Sequence, residues 1–131
     1  MKKSKAKVWL IAENNYRVPI NLILSKERDA AVDWIAKNYA DKGEDLSFIS
    51  KAGGHFLWKA KKKDVCIIIT DPNDLPCLAH ELLHYAVAVL EHRGVPIDDK
   101  TSEALTYLHQ GVYISCLLAL GHKKFAGSCV K

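Results

Sequence analysis

Within the stretch Leu75 to Arg93, the residues His80-Glu81-Leu82-Leu83-His84 place two imidazoles four positions apart in a run with the apolar rhythm of a helix. At about 100° per residue the two histidines project from one face, a single turn apart. Neutral imidazoles so placed reach one Zn²⁺ at roughly 2.0–2.1 Å each and leave two tetrahedral positions open. Glu81 lies beside them on the same side, close enough to act on a water at the metal without being a ligand. Zinc lowers the pKa of such a water to about 7, so a nucleophile forms near neutral pH. The competing reading is an amphipathic helix with two surface histidines and a solvated glutamate.

The pattern also constrains the fold, because only a helix aligns the two imidazoles and that helix needs an apolar back. Leu75, Leu78, Leu82, Ala86, Val89 and Leu90 supply it. Asp74 is the expected N-cap, and Pro76 must stand in the first turn, where its missing N–H costs nothing. Gly94 suits the position just after the helix, with Pro96 beyond it.

Ahead of this helix, Lys7 to Ala12 and Arg17 to Leu24 read as strands joined through a turn at Glu13-Asn14-Asn15. Pro19 removes a ladder donor, which puts the start of the second strand at an edge or bulge. Ser25 is the expected N-cap of a helix from about Lys26 to Ala40, with Ala31, Trp34, Ile35 and Tyr39 as its core stripe and Gly43 as its stop. Three apolar runs follow, Leu46 to Ser50, His55 to Ala60 and Val65 to Thr70, with Gly53-Gly54 and Lys61 to Asp64 between them in the manner of hairpin turns. Val65 to Ile69 is continuously apolar and is expected to be buried on both faces.

After Gly94, Asp98, Asp99 and Thr101 offer caps for a last helix from about Ser102 to Leu120, stopped by Gly121. Glu103, Tyr107 and Gln110 share one face, at about 0°, 40° and −20°. The remaining faces are apolar almost all round towards the end, so this helix is either central to the core or shared with a partner. Glu103 stands 19 positions after His84 and is the candidate third ligand. Its alternative role is an acidic residue favoured by the helix dipole. Tyr107 is a candidate oxyanion donor. Cys77, one turn before His80, reads as a small buried thiol rather than a ligand or redox switch. Asp71, Asp74, Asp98 and Asp99 are candidates to orient a second imidazole nitrogen, with capping and turn roles as the alternative. His55, His92, His109 and His122 have no partner at ligand spacing, and His109 is about 240° from Glu103 on its helix.

His80-Glu81-Leu82-Leu83-His84 followed by Ser102-Glu103-Ala104-Leu105-Thr106-Tyr107 resembles the gluzincin arrangement of zinc metallopeptidases. That resemblance spans about residues 55 to 120. It implies His80, His84 and Glu103 as zinc ligands, Glu81 as general base and a peptide or protein as substrate. In such families an edge strand beside the site pairs with the peptide, a role that falls here on His55 to Ala60. In scale the chain is similar to the small HExxH proteins of bacteriophages and prophages. The metzincin pattern is absent, because no third histidine follows in the expected place. Large gluzincins often carry an aspartate four residues after the third ligand; here that position is Tyr107.

The expected whole is one α+β domain over residues 1–131: a small antiparallel or mixed sheet packed by three helices, a zincin-like minimal core, with flexible tails at 1–6 and 122–131. A chain of 131 residues has room for a real core but little for an elaborate cleft. The charge of +4 comes from scattered lysines, which read as solvated surface, and no nucleic-acid motif accompanies them. The apolar run Val8 to Ala12 is too short for a signal peptide, no segment has the roughly 18 apolar residues of a membrane span, and the four cysteines are unpaired in spacing. These features lead to the expectation of a cytoplasmic protein, in the host cytoplasm if the phage resemblance extends to its source. A hydrolase is the first expectation. The second is a non-catalytic zinc-stabilised accessory protein that docks a partner, or a second copy, through its apolar last helix.

Overall fold

In a computed structural model, which describes residues 5–49, 54–99 and 102–124, Val65–Ile69 forms an interior strand whose five residues are all buried. The elements in chain order are β1 (Lys7–Ile11), β2 (Ile20–Leu24), α1 (Arg28–Asn38), β3 (Gly54–Leu57), β4 (Val65–Ile69), α2 (Leu75–His92) and α3 (Ser102–Ala119). The sheet runs β1-β2-β4-β3, with β2 and β4 parallel and both outer pairs antiparallel. The fold is therefore α+β, a mixed four-stranded sheet with three helices. Among the described residues no helix is long and apolar enough to cross a membrane.

Alternation along the inner strands divides the core in two. Ile20, Leu22, Val65, Ile67 and Ile69 face the layer made by α2 and α3, whereas Ile23, Cys66 and Ile68 face α1. A parallel pair buried on both faces explains why β4 is apolar at every position.

The local chemistry around α2 follows its sequence. The Asp74 carboxylate accepts the Cys77 N–H at 3.1 Å, and Pro76 stands in the first turn. At the other end Gly94 adopts φ 72°, and the N–H groups of Gly94 and Val95 return to the carbonyls of Glu91 and Leu90 at 3.1 and 2.8 Å. The left-handed glycine satisfies carbonyls that the helix end leaves open, and Gly121 closes α3 in the same way.

Several boundaries differ from expectation. Ser25 does not cap α1: its N–H continues the β2 ladder to Ile69 C=O at 3.0 Å, and its hydroxyl donates to Glu27 C=O at 2.5 Å. Glu27 holds the cap position with no side-chain bond, so α1 is shorter at both ends than the run 26–40. β2 begins only after Pro19, since Arg17 is left-handed at φ 61° and breaks the strand. Leu46 to Ile49 forms a turn rather than a strand; Leu46 and Ile49 are buried against the α1 core, which the apolar run alone does not distinguish from a strand. Gly54 opens β3 instead of sitting in a hairpin turn, and β3 ends at Leu57 rather than Ala60. The Lys61–Asp64 turn is where the spacing puts it, with Lys61 at φ 71°. Ser50, Gly53 and the cap candidate Thr101 lie outside the described residues, as do 1–4 and 125–131 of the expected tails. His122 is not free tail: its Nε2 lies 2.6 Å from Pro72 C=O.

Candidate metal centre

Helix α2 lies on the sheet through Leu78, Leu82, Tyr85, Ala86 and Val89, all buried, and turns His80, Leu83 and His84 outward. Helix α3 packs along one flank, where His109 Nε2 meets Ala79 C=O at 3.0 Å. With His122 on Pro72 at the opposite ends, the two helices run antiparallel. The other flank of α2 meets edge strand β3.

On the outward face the Nε2 atoms of His80 and His84 stand 3.2 Å apart, with the rings edge to face at 78°. Either one imidazole donates its N–H to the other, or both turn a lone pair towards a common cation. Two nitrogens at roughly 2.0–2.1 Å from a tetrahedral zinc are separated by about 3.3–3.4 Å. The helix therefore holds the two nitrogens close to ligand spacing.

Glu81 is buried beneath the N-terminal end of β3. A Cβ at Gly54 would lie 3.0 Å from Glu81 Cγ, 2.6 Å from Cys77 Sγ and 3.2 Å from Ile68 C=O, so glycine permits this approach of strand to helix. Sequence reading missed Gly54, although a glycine opening a β-rich run signals a close backbone approach. Burial, followed by the charges of Asp74 and Glu81, pushes the Cys77 thiol up.

Glu103 lies exposed in the first turn of α3. From the His109 contact it is six residues back, about 9 Å along the helix, which brings it to the height of the α2 turn that starts at His84. It points about 120° away from the side that touches α2. Among the described residues no third His, Cys, Asp or Glu closes on the histidine pair. Tyr107 shares the exposed face of Glu103 and lines a cavity of about 240 Å³ with Glu13, Asn14, Asn15 and Ser115.

Two of the four aspartates considered as partners of the imidazoles have local duties: Asp71 accepts the Asn73 N–H at 2.8 Å and Asp74 caps α2. The remaining histidines are engaged elsewhere, His55 against Phe48 and His92 against Trp58. No protein-family model, curated protein or solved structure matches the chain.

Proposed function

We propose that this chain is a zinc-dependent hydrolase of the gluzincin type, acting on peptide bonds. The observation that carries the reading is the 3.2 Å separation of His80 and His84 Nε2 on a helix whose intervening Glu81 is buried under a free strand edge. The two imidazoles fit the metal, since they stand near the spacing of two tetrahedral vertices. When bound, zinc supplies Lewis acidity that brings a coordinated water to a pKa of about 7.

The protein's own residues do the rest. Glu81 takes a proton from water and returns it to the leaving amine. The outer edge of β3 carries backbone donors and acceptors with no strand beyond it among the described residues, a template for an extended peptide. Glu103 is proposed as the third ligand and Tyr107 as the oxyanion donor, from the order of the motif; the height of Glu103, level with the α2 turn that starts at His84, supports the first role, and its side chain must turn towards α2 to fill it. The zincin-like character of the core rests on the same arrangement, a sheet edge, then the motif helix, then the glutamate helix.

The test is hydrolysis of an unstructured protein such as casein by the zinc-reconstituted full chain. Wild-type protein is expected to cleave it, and Glu81→Gln to lose about 10²–10⁴-fold in rate while retaining zinc. Equal rates for the two proteins, or no cleavage by zinc-loaded wild type over a broad peptide library, would refute the proposal.

A further inference from the structure

One turn beyond His84, an open groove of about 570 Å³ continues between β3 and α2, lined by Phe56, Trp58, Lys61, Lys62, Ala88 and His92 among others. Its floor is aromatic and fixed. The Trp58 ring lies 4.8 Å from the His92 ring at 38°, and its indole N–H donates to Lys62 C=O at 3.1 Å. Phe56 stands edge-on to the buried Tyr85 ring at 6.5 Å.

The wall is the β3–β4 turn, which brings Lys59, Lys61 and Lys62 to the groove. Tyr39 pins this turn: its hydroxyl accepts the Lys59 N–H at 3.0 Å and donates to Asp64 C=O at 2.9 Å. Lys59 is already ion-paired with Asp41 and Glu44, so its charge is met. Lys61 and Lys62 are exposed, and neither forms an ion pair within the described residues; the Lys62 ammonium rests 5.4 Å from the centroid of the Tyr39 ring. Among the described residues that line the groove, Glu91 is the one carboxylate.

We infer that this groove is an acid-selecting subsite: a peptide extended along β3 past Glu81 lays an apolar side chain on the Trp58–His92 floor and sets a Glu or Asp side chain against Lys61, with the Lys62 ammonium on the Tyr39 ring adding its charge from farther off. The inference rests on the hydrolase reading and names its substrate class. From His84 to His92 the helix advances about 12 Å. An extended peptide covers that distance in about three or four residues. The acidic side chain therefore belongs three or four positions from the scissile bond.

Exposed ion pairs are individually weak, so two lysines together correspond to a preference of about five- to tenfold at low salt. The probe is a set of capped ten-residue peptides of Thr, Val and Ser with one Phe and one Glu, the Glu scanned along the sequence, each with a Gln twin. Calorimetric titration into the full-length Glu81→Gln protein reads binding without turnover. The Glu peptide with the right spacing is expected to bind about five- to tenfold more tightly than its twin, with the preference shrinking in 0.5 M NaCl as charges are screened. The preference should vanish in Lys61→Glu/Lys62→Glu, whose fold is checked by circular dichroism. Equal affinities at every Glu position, a preference indifferent to salt, or one that persists in the double variant would overturn the subsite. If wild type cleaves Glu and Gln peptides with the same kcat/KM, the subsite fails while the hydrolase reading stands. If selective binding is found without any cleavage, the hydrolase reading fails and the acid-selecting groove stands.

Discussion

A methyl group at Gly54 would lie 2.6 Å from the Cys77 sulfur, so the edge strand and the motif helix meet at a distance that only glycine allows. Glu81 is held at that meeting point, with its Cγ 3.0 Å from the same methyl position. Gly54→Ala should force β3 and α2 apart and cost about 1–3 kcal/mol, as overpacking does elsewhere. Gly111→Ala is the control, because nothing lies within 4 Å of its would-be Cβ and the site is inside helix α3. That change should stabilise by about 0.5–1 kcal/mol. Urea unfolding of both variants should give shifts of opposite sign.

The Tyr85 hydroxyl donates to Val18 C=O at 2.6 Å across the core, and Arg93 donates to Tyr16 C=O at 2.8 Å from the end of the same helix. Together they fasten the segment between β1 and β2 to α2. Tyr85→Phe leaves a buried carbonyl without this partner and should cost about 1–3 kcal/mol. Tyr107→Phe, at an exposed position, should leave the urea midpoint unchanged. Equal losses in the two variants would contradict the assignment of Tyr85 as the core tie.

Burial pushes the thiols of Cys66 and Cys116 up to about 12, and burial likewise raises Tyr39 to about 12. In the unfolded chain thiols ionise near 8.5 and tyrosine near 10. Between those values and about 12 the folded state binds more protons than the unfolded one, so stability falls as pH rises. The contribution is fully present below about pH 8.5 and is lost on passing through 12. Urea midpoints measured from pH 8 to 11 should decline, and Cys66→Ala with Cys116→Ala should flatten the slope. A midpoint that holds or rises over that range would contradict the burial of these groups.

What the sequence makes legible is local. The Asp74 cap, the Pro76 first turn and the Gly94 stop are each set by one residue's backbone chemistry, and the burial of Val65–Ile69 by composition alone. Leu46 and Ile49 mislead because turn residues under α1 are as apolar as strand residues. Ser25 misleads because the ladder to Ile69 claims a residue whose side chain suits a cap. In the candidate site, the His80–His84 spacing depends only on helix geometry and is readable. The direction of Glu103 depends on how α3 packs against α2, through the His109–Ala79 contact, which a spacing of 19 positions does not encode. The Gly54 approach and the Trp58–His92 floor join residues far apart in the chain, so no local pattern announces them.

The most direct measurement is zinc stoichiometry and affinity, by equilibrium dialysis with elemental analysis, for wild type, His84→Ala, Glu81→Gln and Glu103→Ala. One zinc per wild-type chain, retained in Glu81→Gln, lost in His84→Ala and weakened in Glu103→Ala, is the expected result. No zinc in reconstituted wild type, or the same zinc content when His84 is replaced, would contradict a metal centre on this helix face.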